Sequence, residues 1–138
     1  MKTKVRIILI NFFTCPIFFI DRLSKIIAKN KGIIFQNKNI ALNIHLPPNI
    51  LFPVIFFILT FLIFLLVKSY QKKKIFFIFS LNLIILGAFS NLLDRLFFGY
   101  VIDFIKIPVF SIFNLADVMI ISGASLSLIK LITKENAG

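Results

Sequence analysis

Acidic residues are scarce in this 138-residue sequence, where five Asp and Glu stand against 16 Lys and Arg. Only 15% of the residues are charged, whereas 59% are hydrophobic. A soluble domain of this size has about a quarter of its residues charged, so most of this surface must face something other than water. We therefore expect an integral membrane protein. Its net charge of +11 favours contact with anionic membrane lipid rather than with nucleic acid.

Cysteine and histidine occur once each, as Cys15 and His45. One cysteine cannot form a disulfide within the chain, and inside an apolar run it is typically a small buried side chain. One histidine excludes a metal site built on histidines. The sequence also has no glycine-rich phosphate loop, HExxH motif or cysteine pair. We expect neither a metal nor a cofactor, and the chemistry that remains is that of carboxylates.

Four apolar segments predict four membrane-spanning helices. The first begins near Val5 and reaches the length of about 20 residues that a span needs only by continuing through DRLSKIIA. This continuation places Asp21 and Lys25 at a membrane boundary. The other segments are residues 50–67, 75–93 and 113–132. We expect an all-α, four-transmembrane-helix bundle forming one domain over residues 1–138, with a small extracytoplasmic β element in residues 31–46, between helices 1 and 2.

The basic residues predict how the bundle is oriented. Three groups would share one side: the start of helix 1, the tight turn between helices 2 and 3, and the end of helix 4. These groups contain Lys2, Lys4, Arg6, Lys68, Lys72, Lys73, Lys74, Lys130 and Lys134. Because the turn is densely basic, we expect this side and both termini to be cytoplasmic. The connections 29–49 and 94–112 would then lie on the outer side.

Four of the five acidic residues fall at or near the outer boundary in this arrangement. They are Asp21, Asp94, Asp103 and Asp117. Ionisable groups at membrane depth are costly and usually mark function. A site at this interface would explain the clustering, which random placement would not.

Structural roles are open for several of these residues. Asp21 and Lys25 have the i, i+4 spacing of an ion pair on one helical face. Asn91, Asp94 and Arg95 would also share a face, and Asp94 with Arg95 could anchor a helix while Arg95 positions its neighbours. Each of these contacts would be a packing device without a catalytic role.

The two remaining aspartates differ in how readily a structural role explains them. Asn114 and Asp117 have the spacing of a helix N-cap and its N3 partner, so a capping box could account for them. Asp103 has no nearby partner except Lys106. Two aspartates at one site repel when both are ionised, so they share a proton. The ionised member can take a proton from water while the neutral member hydrogen-bonds a scissile carbonyl. Asp103 and Asp117 could form such a pair if the outer loop folds back onto helix 4.

The segments NLLDRLFFGYVIDFI and FNLADVMI closely resemble two diagnostic stretches of lipoprotein signal peptidase (signal peptidase II). This family consists of small four-helix membrane aspartyl proteases, which remove the signal peptide of bacterial prolipoproteins just before a diacylglyceryl-modified cysteine. The segments DRLSK, NKNIAL and LGAFSN resemble further family motifs in the same order. The resemblance covers residues 21–120.

The resemblance implies an aspartic-type endopeptidase of the bacterial inner membrane, with Asp103 and Asp117 as its catalytic pair and no cofactor. Its substrate would be a diacylglyceryl-modified prolipoprotein that enters from the membrane lipid. Other residues match family positions that contact the substrate or support the residues that do. They are Asp21, Lys25, Asn37, Asn91, Asp94, Arg95 and Asn114.

Three residues depart from the family pattern. Asn39 and Ser90 stand where the family has glycine, and Leu42 stands where it has phenylalanine. Asn39 and Leu42 bear on the loop geometry around residues 37–43, and both presumed catalytic aspartates are retained. Two other functions remain as alternatives. One is a small proton- or ion-translocating membrane protein, with acids spread through the bilayer; the other is an assembly subunit whose polar residues only join helices.

Overall fold

The computed structural model of the protein describes residues 3–39, 44, 46–108 and 112–135. Four long helices account for most of these residues: α1 (Thr3–Asn30), α2 (Pro48–Gln71), α3 (Ile75–Phe98) and α4 (Leu115–Glu135). Each is long and apolar enough to cross a membrane. The prediction of a four-transmembrane-helix bundle is confirmed, including the continuation of α1 through the polar segment that follows its apolar run.

Helix α3 lies at the centre of the bundle and contacts each of the other three helices. Of its most apolar stretch, 44% is buried, compared with 6% for α2. The outward side chains of α2 include Phe56 and Phe57, which are 73% and 74% exposed. Such a surface is suited to lipid, in which apolar side chains need no protein cover.

Small residues let α3 and α4 approach closely. A Cβ added at Gly87 would lie 2.5 Å from the carbonyl oxygen of Ala116, and one at Gly123 would lie 2.5 Å from that of Ser80. Only glycine leaves room for backbone at this distance. The two helices are antiparallel, and the hydroxyl of Ser127 also donates to that of Ser80 at 2.7 Å.

A polar contact fixes α1 against two neighbours. The side-chain oxygen of Asn11 accepts hydrogen bonds from Tyr70 of α2 at 3.2 Å and from Asn82 of α3 at 3.0 Å. Further along, α1 meets α3 again where Lys25 contacts Asn91. Helices α1 and α3 therefore run parallel. Their first turns lie at one end of the bundle, together with the 2–3 turn and the end of α4.

Two small antiparallel sheets cover the opposite end. Strand β1 (Phe35–Asn37) pairs with β2 (Val101–Asp103), and β3 (Ile105–Lys106) pairs with β4 (Ile112–Phe113). The predicted β element between helices 1 and 2 is confirmed. Its partner strand comes from the connection between α3 and α4. Since a three-residue strand is not stable alone, β1 needs this distant partner.

Cys15 is exposed on the outer face of α1, so the prediction that it is buried in the protein is wrong. Lipid can accept a small apolar side chain as well as a protein interior can, which removes the need for burial. His45 and Leu42 lie outside the described residues.

Candidate active site

Asp103 ends strand β2 and is 1% exposed. Its Oδ2 accepts a hydrogen bond from Nδ2 of Asn37 at 2.9 Å, and its Oδ1 accepts one from Nδ2 of Asn114 at 2.6 Å. The contact with Asn37 follows from the β1–β2 pairing, which sets the two side chains diagonally opposite each other. Lys106, the partner that sequence spacing suggested, is exposed. Neutral amides therefore hold this carboxylate.

Asp117 lies in the first turn of α4, and it forms the predicted capping box with Asn114. The backbone N–H of Asp117 donates to Oδ1 of Asn114 at 2.9 Å, and the backbone N–H of Asn114 donates to Oδ2 of Asp117 at 3.2 Å. The capping box is confirmed, but it does not use the whole carboxylate. Oδ1 of Asp117 accepts a further hydrogen bond from Nδ2 of Asn91 at 2.8 Å.

The β3–β4 hairpin brings the two aspartates together. It begins just after Asp103 and ends just before Asn114, and the N–H of Phe104 donates to the carbonyl of Phe113 at 3.1 Å. Asn114 then contacts both carboxylates, Asp103 through its side-chain amide and Asp117 through its backbone N–H. The connection between α3 and α4 thus folds back onto α4.

Asn91 links the pair to a charged group behind it. Its Oδ1 accepts hydrogen bonds from Nζ of Lys25 at 2.9 Å and from Nδ2 of Asn114 at 3.2 Å. A lysine ammonium can only donate, so the amide oxygen of Asn91 must face Lys25. This leaves the amide nitrogen to donate to Asp117.

Lys25 belongs to a largely buried cluster of four charged residues, with Asp21, Arg22 and Asp94. Its Nζ lies 2.8 Å from Asp94 and 3.2 Å from Asp21, and Arg22 lies 2.5 Å from Asp94. Lys25, Asp21 and Asp94 are all fully buried. The predicted Asp21–Lys25 ion pair is confirmed, but it is part of a larger cluster. Two carboxylates face two cations, so the cluster carries no net charge.

This cluster also fixes the backbone beside each member of the aspartate pair. The N–H of Ala116, next to Asp117, donates to Asp21 at 2.9 Å. The N–H of Ile102, next to Asp103, donates to Asp94 at 3.2 Å. The cluster and the aspartate pair are therefore parts of one hydrogen-bonded structure.

Arg95 and its neighbour Asp94 contact different parts of the molecule. The guanidinium of Arg95 donates to the carbonyl oxygens of Asn91 at 3.3 Å and Asn39 at 3.0 Å. Asp94 faces α1 while Arg95 contacts the chain after β1, so the two neighbours anchor α3 to different parts of the molecule. Successive residues on a helix point about 100° apart, so they reach different neighbours.

A cavity of about 240 Å³ adjoins Arg95, between the chain after β1, the start of α2 and the end of α3. Leu51 and Phe52 contribute apolar surface, and Lys38 and Arg95 contribute positive charge. A mostly apolar pocket with a few polar groups is the usual form of a site for an organic ligand.

Burial raises the pKa of Asp103 above its ordinary value, and the nearby charge of Asp117 raises it further. The hydrogen bonds from Asn37 and Asn114 oppose this change, because they favour the ionised form. The net upward direction lets Asp103 hold a proton at higher pH than an isolated aspartate. In the part of the chain that the structure describes, no three acid, His or Cys side chains cluster as metal ligands would.

Arg22, which belongs to the cluster, and Ser90, which contacts it, were not predicted as site residues. The Ser90 hydroxyl donates to Asp21 at 2.5 Å and accepts from Arg22 at 3.3 Å. Ser90 drew notice only as a departure from glycine, and Arg22 only as one basic residue among several. The helical spacing of Ser90 and Asp94, one turn apart, was the available signal.

The bundle, with buried Asp103 and partly exposed Asp117 both held by asparagine amides, defines an integral membrane protein with a carboxylate site at one end. Residues 3–133 match the family model described as signal peptidase (SPase) II. The chain belongs to the signal peptidase II family, and it is a bacterial multi-pass membrane protease.

Relatives and solved structures agree with this assignment. The lipoprotein signal peptidase of Halothermothrix orenii is 36% identical over 104 residues, covering 75% of this chain and 70% of the relative. That of Caldicellulosiruptor bescii is 36% identical over 119 residues, covering 86% and 77%. A solved bacterial membrane enzyme superimposes with a TM-score of 0.74 at 27% identity, covering 94% of this chain and 88% of that one.

Proposed function

We propose that Asp103 and Asp117 are the catalytic pair of an aspartic-type signal peptidase II. The substrate is a diacylglyceryl-modified bacterial prolipoprotein, cleaved just before the lipid-modified cysteine. The observation that carries the proposal is the position of Asn114, which donates hydrogen bonds to both carboxylates. The two groups are thereby held around one residue, as joint action on a single water molecule requires.

The arrangement supports different roles for the two aspartates. Asp103 is the neutral member, since burial favours its protonated form. Asp117, ionised, takes a proton from water as the water oxygen attacks the scissile carbonyl carbon. Asp103 gives its proton to the carbonyl oxygen, which yields a neutral gem-diol. On collapse Asp117 protonates the departing amine and Asp103 recovers a proton from the diol, so both return to their starting states.

Asparagines keep this pair aligned without adding charge. Asn37 and Asn114 hold Asp103, while Asn91 holds Asp117. A cation in direct contact would favour the ionised form of both carboxylates and remove the shared proton. Lys25 instead acts through Asn91, whose orientation it fixes. We assign Lys25, Asp21 and Asp94 as positioning residues.

The cavity beside Arg95 is our candidate for the substrate chain, because it lies next to the residues that hold the pair. Apolar side chains at its wall suit a lipid-modified peptide that enters from the bilayer. A proton or ion path would need titratable groups at several depths. The four aspartates are gathered at one end instead, which favours hydrolysis over translocation.

We also propose that the aspartate end faces the outside of the cell and that both termini are cytoplasmic. The supporting feature is the opposite end, which gathers the basic starts of α1 and α3, the 2–3 turn and Lys130. Basic residues in short connections favour the cytoplasmic side.

The catalytic proposal is tested with Asp103→Asn and Asp117→Asn, each of which keeps side-chain size. Purified variants are given a diacylglyceryl-modified prolipoprotein, and cleavage is followed by gel mobility. Each is expected to lose at least about a hundredfold in rate, which is the lower range for removing a general acid or base. Gln36→Ala, on an exposed β1 residue, is the matched control and should cleave normally. Near-normal cleavage by either Asp variant, at unchanged thermal stability, would refute the pair.

Orientation is tested in a Cys15→Ser background, which removes the single native thiol. Lys38→Cys places a thiol on the aspartate side, and Lys72→Cys places one in the 2–3 turn. A membrane-impermeant maleimide added to intact cells should label position 38 alone, whereas lysed cells should show labelling at both. Labelling of position 72 in intact cells would reverse the proposed orientation.

A further inference from the structure

A shallow cleft of about 270 Å³ lies at the end of the bundle that is remote from the aspartates. It is formed by the first turn of α3 and the last turns of α4. Its lining consists of Lys74, Ile75, Phe76, Phe77 and Lys130. Helix α3 has 24 residues and spans about 36 Å, so this cleft is separate from the peptidase site.

The ammonium groups of the two lysines in the cleft make only weak contacts within the protein. Nζ of Lys74 lies 5.7 Å from the ring centroid of Phe77, and Nζ of Lys130 lies 5.9 Å from that of Phe76. Both distances are close to the limit of about 6 Å for a cation–π contact, so these contacts are weak. Both lysines are exposed. Each ammonium can therefore donate hydrogen bonds to a further group.

Among the side chains that the structure describes, no acidic residue pairs with the cations at this end. The three ion pairs of these side chains all use Asp21 or Asp94, which lie at the other end. The 2–3 turn adds Lys72 and Lys73 next to the cleft. A concentration of cations of this kind favours an anionic ligand.

The turn itself keeps a lysine where the backbone favours glycine. Lys73 has φ 52°, in the left-handed region, where a Cβ atom crowds the carbonyl oxygen that follows it. Glycine or asparagine would fit that conformation more easily. Retaining lysine there keeps a third consecutive positive charge beside the cleft.

We propose that this cleft binds the phosphate headgroup of an anionic phospholipid. Lys74 and Lys130 contact the phosphate from opposite sides, and an acyl chain lies along Phe76. The position supports a lipid rather than a soluble anion, because the cleft opens at the terminus of two membrane-spanning helices. Basic pockets between such helices are suited to anionic headgroups. The proposal goes beyond the peptidase activity and does not depend on it.

A simpler account is that these lysines attract anionic lipid through their charge alone, without forming a specific binding site. Lys130 near the C-terminal end of α4 interacts favourably with the helix dipole, and any basic residue at this end would attract anionic lipid. The two accounts differ in whether position matters. If the cleft binds lipid, then removing its two cations must weaken binding more than removing two others at the same end.

The test compares Lys74→Gln/Lys130→Gln with a matched control, Lys4→Gln/Arg6→Gln. The control loses the same charge from exposed positions at the start of α1. Detergent-purified proteins receive phosphatidylglycerol or phosphatidylcholine with identical acyl chains, and native mass spectrometry measures the bound lipid. We expect wild type to prefer phosphatidylglycerol, and we expect the cleft variant, which lacks two lysines, to lose roughly thirtyfold in phosphatidylglycerol affinity, since each lysine contributes about 1 kcal/mol. The control should change by less than about twofold on the same scale.

An equal loss in the two double variants, or no loss in the cleft variant, would overturn the proposal. The single variants Lys74→Gln and Lys130→Gln, each expected to lose part of the affinity, replace the double variant if it does not fold. A final arm adds inorganic phosphate to wild type with bound phosphatidylglycerol. The lipid should remain bound because its acyl chain contributes. Displacement by equimolar phosphate would identify free phosphate as the ligand and overturn the assignment to lipid.

Discussion

At the scale of single residues, hydrogen bonds from asparagine side-chain amides position the two aspartate carboxylates. The spacing of Asn114 and Asp117 was sufficient to predict their capping box, since a cap is a local contact within one turn. The bond from Asn37 to Asp103 could not be derived from spacing, because it depends on the register of two three-residue strands from distant parts of the chain. Asn37 was identified only through family resemblance, and the structure supplies its physical partner.

The hydrogen bond from Asn37 to Asp103 leads to a prediction of how pH affects cleavage. If neutral Asp103 is required, the rate falls as pH rises through the pKa of Asp103, which burial raises above its ordinary value. The hydrogen bond from Asn37 favours the ionised form and so opposes this increase. Asn37→Ala should therefore move the alkaline limb of the kcat/KM profile to higher pH. Profiles of wild type and variant measured with one substrate test this direction.

Gln36→Ala is the control for that experiment, because Gln36 lies on the same strand with an exposed side chain. Its pH profile should coincide with that of wild type. A limb that moves to lower pH in Asn37→Ala would show that the Asn37 hydrogen bond does not act on Asp103 in the stated way.

At the scale of elements, apolar runs predicted the helices but not where α3 ends. The run stops at residue 93, whereas the helix continues to Phe98. Counting apolar residues ends a span at the first charge, but Asp94 is buried against cations of α1. The β1–β2 and β3–β4 pairings could not be predicted from the sequence either. Strands of two or three residues are too short to show the alternation of polar and apolar residues that identifies a strand. These pairings create the site by bringing Asp103 to α4.

The close approach of α3 and α4 predicts that Gly87→Ala and Gly123→Ala both destabilise the bundle. Each added Cβ would lie 2.5 Å from a backbone carbonyl oxygen on the facing helix. Overpacking of this kind costs about 1–3 kcal/mol. Gly87→Ala should also slow cleavage, because it presses on Ala116 beside Asp117, while Gly123→Ala should affect stability more than rate.

Unfolding in mixed micelles and cleavage assays would measure these two effects. Ser122→Ala, at an exposed position next to Gly123, is the control and should match wild type in both. Unchanged stability in both glycine variants would mean that the helices can separate without loss, contrary to the packing described.

At the scale of the whole molecule, the aspartates lie at one end, where basic residues pair with them, and the opposite end is basic. One end contains four aspartates, and the other gathers lysines without described acidic partners. The sequence predicted this arrangement, because charged residues flank the apolar runs and the up-and-down order of the helices sets the end at which each one lies. The neutral cluster of Asp21, Arg22, Lys25 and Asp94 was only partly predicted. An i, i+4 pair can be read along one helix, but the contact between Lys25 and Asp94 requires two helices to pack.

That cluster joins α1, α3, β2 and the first turn of α4, so it should contribute to the stability of the whole bundle. Lys25→Met leaves two buried carboxylates facing one guanidinium, and removing one partner of a buried pair typically costs about 3–5 kcal/mol. Asp21→Asn added to Lys25→Met restores neutrality and should recover stability instead of adding a further loss. The coupling between two such contacting groups is expected to be on the order of 1–3 kcal/mol, measured by a double-mutant cycle of unfolding free energies.

Lys29→Met, one turn further along α1, is the control. Lys29 is exposed and lies 3.5 Å from the ring centroid of Phe98, so its loss should cost about 1 kcal/mol or less. Strictly additive losses of unfolding free energy for Asp21→Asn and Lys25→Met would show that the two side chains act separately. The charged cluster would then not be what stabilises the aspartate end as a unit.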